Sequence, residues 1–344
     1  MNGASGDVCA KISTRPKNTM ITIIGSNHHF LRMRMNCQSS EKMESLDMGS
    51  AYSLELVEVN RSSRYAAAMQ LPQFQVHADL ENLHWWFLGR RKIFRALLHA
   101  ACSPSPEKVF LDVGCGTGGN TAAFAKDYRC IGIDPIPEAV AFAKQRFPGV
   151  EFRQGYAPED CADLMATADI VLLADVLEHI EDDFLLVSKI LASMKPGGHL
   201  LMMAPADPSL WSAHDRGFEH YRRYTLPRLR MLWEGFPVEE RVVSYCNSRL
   251  YPLAKIARMV ARMKGSALGP NDTDLSLPFS LLNQFFAKTF AGESKRLLAV
   301  LQGRGTPYRY GVSVMALLRR TEGNIVPRAW PEGFPKDARP WMAP

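Results

Sequence analysis

The stretch Val109-Phe110-Leu111-Asp112-Val113-Gly114-Cys115-Gly116-Thr117-Gly118-Gly119-Asn120 decides how this chain folds. Its first five residues form an apolar run of the kind buried on both faces of a parallel sheet. Glycines follow at 114, 116, 118 and 119, and a helical pattern runs from Asn120 to Lys126. Glycines let the backbone turn tightly and approach a ligand closely. Asp112 breaks the apolar run, where a fully buried strand should hold no acid. A carboxylate at a strand's carboxyl end, facing a glycine turn, suits a ligand that carries positive charge.

Two ligand classes use such a turn. Gly114, Gly116 and Gly119 fit the dinucleotide pattern G-x-G-x-x-G. A pyrophosphate, however, would be repelled by Asp112. S-adenosylmethionine carries an amino group and a sulfonium and no phosphate, so the acid favours it. Asp112 through Gly118 reads as an acid followed by G-x-G-x-G, and here the chain resembles the class I S-adenosylmethionine-dependent methyltransferases. The resemblance implies that Asp112 and the Gly114-Cys115-Gly116 backbone hold this donor.

Three further stretches fit the same family in order. Ile131-Gly132-Ile133-Asp134 reads as a second strand ending in an acid, about 20 residues past the turn, where a ribose-binding carboxylate is expected. Asp134 also suits the cap of the helix that Pro135 and Pro137 begin. Val150 to Ala157 reads as strand and loop; in the family this loop covers the adenine, often with an acid after its glycine. That place here is Tyr156, which can pack on the ring while the Ala157 amide meets its edge. Ala168 to Asp175 is another buried strand, followed by Val176-Leu177-Glu178-His179-Ile180, which resembles the segment beside the methyl donor. Lys195-Pro196-Gly197-Gly198 then turns into the strand His199–Ala204.

The alternation of strand and helix predicts an α/β fold. The resemblance makes it a doubly wound, Rossmann-like sheet of seven strands, mostly parallel with the last antiparallel, and helices on both faces. Val238–Ser244 and Tyr310–Leu318 supply the final two strands. The methyltransferase domain is expected over 71–320, with a helical insertion at about 247–307. Residues 1–70 read as a disordered extension and 321–344 as an irregular, proline-rich tail. The apolar piece 20–25 is too short for a span or a signal core.

With 344 residues, 47% of them hydrophobic, the chain can bury one large domain. Its net charge of +6 is spread along the sequence, so no nucleic acid is expected as a partner. The seven cysteines show no metal-type spacing and point to a reducing compartment. A cytoplasmic location is the expectation, with a peripheral place on a membrane as its variant.

Acceptor-binding residues are expected in two places. In related enzymes an amino-terminal helix lids the donor, so Arg90 or Arg91 in His84–Arg91 would hold its methionine carboxylate. The other is Trp211 to Thr225, after the fifth strand, where acceptors sit in this family. It looks like a subgroup linked with glycan or lipid-intermediate pathways. Arg222 and Arg223 either bind an acidic acceptor or pair with acids such as Glu219 and Glu234. An oxygen acceptor must lose a proton, and His179, His214 and His220 are the candidate bases. Asp175-x-x-Glu178-His179 with a later histidine also resembles the metal cluster of some O-methyltransferases. Because Glu178 and His179 are adjacent, they share a face only if the helix start is irregular, and no metal ligand is assigned.

The segment Arg249–Lys264 sets Leu253, Ile256, Met259, Val260 and Met263 opposite Lys255, Arg258 and Arg262. Such a helix either packs its apolar face on the domain, the favoured expectation, or lies on an anionic membrane. The leading function is thus methyl transfer from S-adenosylmethionine to a small or lipid-linked acceptor, at oxygen. The alternatives are an NAD(P)-dependent oxidoreductase and a non-catalytic donor-binding regulator.

Overall fold

The computed structural model describes residues 19–24, 30–35, 78–263 and 276–331. The chain divides into two units, residues 1–69 and 70–344. In the first, β1 (Thr19–Ile24) pairs antiparallel with β2 (Phe30–Met35). The apolar piece too short for a span is therefore a strand, as its β-branched residues favour. The rest of the expected disordered extension, and the tail beyond residue 331, lie outside the described residues.

The second unit holds one seven-stranded sheet in the order β5-β4-β3-β6-β7-β9-β8. Its strands are β3 (Ser105–Val113), β4 (Tyr128–Asp134), β5 (Glu151–Gln154), β6 (Ile170–Ala174), β7 (His199–Pro205), β8 (Val238–Cys246) and β9 (Ser313–Arg320). The first five run parallel, and β9 lies antiparallel between β7 and β8. This is the expected fold. The chain winds outward from β3 in both directions, so a crevice opens at the carboxyl ends of β3, β4 and β6, where such sheets bind ligands.

Strand periodicity sends alternate side chains to opposite faces. On one face Leu111, Val113, Ile131, Val171 and Leu173 pack with α5 (Asp183–Ser193). On the other, Phe110, Ile170, Leu172, Leu201 and Met203 pack with α1 (Trp85–Ala101), α9 (Ser280–Ala291) and α10 (Ser294–Leu301). Each such large side chain contributes on the order of 1.5–3 kcal/mol when fully buried. Between these helices come α2 (Gly119–Phe124), α3 (Pro137–Arg146) and α4 (Ala162–Met165), then α6 (Ala213–Gly217), α7 (Leu226–Arg230) and α8 (Tyr251–Met263). Within residues 247–307 the described helices are α8, α9 and α10, and the last two belong to the core: Phe290 and Leu297 are fully buried against α1.

The favoured expectation for α8 is overturned. Leu253, Ile256, Met259 and Met263 are each at least half exposed, while Arg258 is only 8% exposed. The cause is the inward anchoring of Arg258, which donates to the Leu210 carbonyl and lies 3.5 Å from Asp215. Lys255 on the same face stays exposed, and Val260 of the apolar face is half-buried.

Candidate active site

The site starts with the left-handed glycines. Gly114, Gly116 and Gly118 have φ of +70°, +51° and +84°, a region costly for any residue with a Cβ. At Gly114 a Cβ would stand 2.6 Å from Val176, whereas at Gly116 nothing lies within 4 Å. The Gly116 backbone therefore faces open space, as a ligand-cradling turn requires. The Cys115 side chain is 8% exposed and packs with Val140, Ala143 and Phe152, which leaves its backbone to serve the turn.

Asp112 is 1% exposed and accepts from the Thr121 hydroxyl of α2 at 2.6 Å. Burial pushes its carboxyl up to about 7, against the pull of the Thr121 bond and of nearby Arg90. An acid held so close to neutrality gains most from a cationic ligand. Asp134 ends β4, and its two oxygens accept from the Gly116 and Ile136 amides, each at 2.9 Å. Burial raises it too, and the two amides oppose that rise. It ties the glycine turn to the next strand, with lone pairs left for ribose hydroxyls. It is not the cap of α3, whose N-cap is Ile136 with no side-chain cap bond.

Arg90 and Asp175 meet across the crevice in an ion pair in which the arginine is buried and the carboxylate is partly exposed. Arg90 also lies 4.2 Å over the Trp86 ring, and its Nε, buried, has no hydrogen-bond partner. Asp175 has φ +59°, a strained backbone of the sort found where a chain aims a functional group. Arg91 instead holds the Gly119 and Glu81 carbonyls. Tyr156 is 47% exposed, and its amide donates to Asp160 at 2.8 Å. An acid thus does reach this loop, four residues beyond the position where the family pattern places one.

The three candidate histidines converge. His179 closes a short 3₁₀ turn, Leu177–His179, and its ring centre lies 4.8 Å from that of His220; His214 lies 5.8 Å from His220. His220 Nδ1 is 2.9 Å from Asp215 Oδ1, and Asp215 is fully buried. Burial would raise the Asp215 carboxyl, but Arg223, His220 and Arg258 outweigh it and hold the group well below the usual range. The irregular turn lets the adjacent Glu178 and His179 face one place. With His220 they offer three ligand atoms, all within 4.8 Å of one another. Glu178 Oε2 is buried without a hydrogen-bond partner, and burial pushes this carboxyl well up. A carboxyl in that state takes either a proton or a cation.

Two arginines expected near an acceptor are structural. Arg222 is 2% exposed, donates to the Ile180 and Glu181 carbonyls and pairs with Asp183 at 3.4 Å. Arg223 is held by the Ala206 carbonyl and Asp215. Their acids are Asp183 and Asp215, not Glu219 or Glu234, since these two are the acids buried beside them.

Sequence reading missed Asp215 and Glu81. Asp215 was legible as the far end of a capping box with Ser212, which it forms. Glu81, in the helical residues 78–83, accepts from Thr117 Oγ1 at 2.9 Å and pairs with Arg146, against Gly119. No local signal announces that contact.

The fold and this crevice define a class I S-adenosylmethionine-dependent methyltransferase. Residues 55–249 match the model of a family described as a methyltransferase domain, and the chain belongs to that family. It is 28% identical over 208 residues, 59% of this chain and 76% of the relative, to a protein of Mycolicibacterium smegmatis named "probable S-adenosylmethionine-dependent methyltransferase". It is 30% identical over 142 residues to a ubiquinone biosynthesis O-methyltransferase of Nitrobacter winogradskyi, covering 39% of this chain and 53% of that one. A plantazolicin methyltransferase solved in complex with a triazolic desmethylPZN analog and SAH aligns over 76% of this chain and 94% of its own, at 12% identity and a TM-score of 0.46. The protein is an enzyme that uses S-adenosylmethionine, and the oxidoreductase and regulator alternatives are set aside. The acids and the open turn at Gly116 fit that donor.

Proposed function

We propose that the enzyme methylates an oxygen of a small or lipid-linked acceptor, with His220 as the base. The observation that carries this is the Asp215–His220 pair at 2.9 Å, in the segment after β7 and beside two more histidines. A carboxylate kept ionised by Arg223 and Arg258 accepts from Nδ1–H. The second ring nitrogen is then the basic one, and the charge that follows proton uptake is stabilised. The donor supplies a methyl group on a sulfonium, open to in-line displacement. The chain's own work is placement. Asp112, Gly114, Cys115, Gly116 and Asp134 would hold the donor's cationic and ribose parts. Tyr156 and Ala157 would flank its adenine, and Arg90 with Asp175 would fix its amino-acid end. His179 and His214 border the acceptor.

The test uses isotopically labelled donor and cell extracts, with mass spectrometry to find the labelled product. His220→Ala should lower turnover by about 10²–10⁴-fold, the usual worth of a general base, with donor affinity within about 2-fold. A methyl found on nitrogen, or donor binding lost in step with turnover, would remove this assignment.

The Glu178–His179–His220 set favours a second reading, in which a divalent cation there polarises the acceptor oxygen. In that case chelation abolishes turnover and added magnesium or zinc restores it. Full activity in chelator rules it out.

A further inference from the structure

From the exposed face of α8 we infer that the enzyme docks on the surface of an anionic lipid bilayer, through that helix. This rests on the lipid-linked acceptor reading above and gives it a partner. Four apolar side chains, Leu253, Ile256, Met259 and Met263, are 50%, 56%, 55% and 73% exposed along one 13-residue helix. Single exposed apolar residues are ordinary, but a stripe along one helix face marks an interaction surface. The helix spans about 20 Å, enough to lie in the interfacial layer.

Charge selects the occupant. Along residues 249–263 there is no Asp or Glu, while Arg249 and Lys255 are exposed; Lys255 also lies 3.7 Å from Asp207. Apolar groups rimmed by cations match acyl chains beneath lipid phosphates. A second copy fits less well, because a two-fold contact sets the same cations against each other.

The helix is tied to the chemistry. Arg258 reaches the Leu210 carbonyl and Asp215, and the Tyr251 hydroxyl donates to Asp207 at 2.5 Å. Asp215 in turn orients His220. An open groove of about 350 Å³, lined by Tyr251, Pro252, Lys255, Ile256 and Tyr310, lies at the start of the same helix. A bilayer seated on α8 would hold the acceptor segment at a fixed distance from the lipid headgroups.

The experiment is co-sedimentation of the full chain with vesicles of phosphatidylcholine alone and of phosphatidylcholine with about 30% phosphatidylglycerol. The expected result is binding to the anionic vesicles only, reduced at least about 10-fold in Ile256→Glu/Met259→Glu, whose melting temperature and donor affinity stay unchanged. Equal sedimentation of variant and parent, or none by either, overturns the inference. So does a lipid-free dimer in the parent that the double substitution dissolves, which would assign this face to a second copy. Vesicle binding needs no turnover, so a water-soluble methylated product would defeat the lipid-linked reading without touching this result.

Discussion

Asp112 is the side chain to which we assign the donor's cationic end. In the donor-free protein burial holds its carboxyl near 7, so at that pH about half of the molecules carry it protonated. A cationic donor prefers the ionised form. Donor affinity should therefore rise from pH 6 to 8, with a proton released on binding below pH 7, read by calorimetry in buffers of different ionisation enthalpy. The same shift sets a sign on stability. The folded state binds the extra proton between the unfolded value near 4 and the folded value near 7, so donor-free stability falls as pH rises through that window. Asp112→Asn should flatten both profiles. A pH-independent donor affinity in the parent would mean that this carboxyl does not sense the sulfonium.

At the scale of elements, what the sequence showed plainly was local. The strand, turn and helix at 109–126 follow from an apolar run and glycines within one short window, and the structure places φ above zero at three of those glycines. Gly118 shows what the pattern protects. A Cβ there would stand 2.8 Å from the Phe152 ring and 3.0 Å from Ala143, on a backbone at φ +84°. Gly118→Ala should cost about 2–4 kcal/mol, the sum of left-handed strain and overpacking, in urea unfolding. A loss below about 0.5 kcal/mol would show that the turn relaxes. Partners far apart in sequence were not legible. Asp215 is a different case: only five residues from the His220 it orients, it is a readable capping-box acid that sequence reading missed. The orientation of α8 was missed because periodicity tells that a helix has two faces, not which face finds partners. Arg258 finds Leu210, 48 residues away, and that long-range bond turns the apolar stripe outward.

Across the second unit, the sheet is a partition between two apolar layers. One face carries α5, and we expect it to matter for stability more than for the donor. The other carries α1, whose Arg90 reaches the crevice, and the insertion helices α9 and α10 press α1 onto the sheet. Phe290 is fully buried at that contact, its ring 2.6 Å from where a Cβ on Gly89 would stand and 6.2 Å from the Trp85 ring centre. Phe290→Ala should cost about 3–5 kcal/mol and, because α1 gains freedom, should also weaken donor binding under conditions where the protein stays folded. Leu191→Ala, an equally buried site on the α5 face, is the control: a loss of about 2–5 kcal/mol with donor affinity unchanged. Calorimetric titration of both variants with donor decides the matter. If both lose affinity in proportion to lost stability, the two faces are not functionally distinct, and the insertion is a brace for the fold rather than for the donor site.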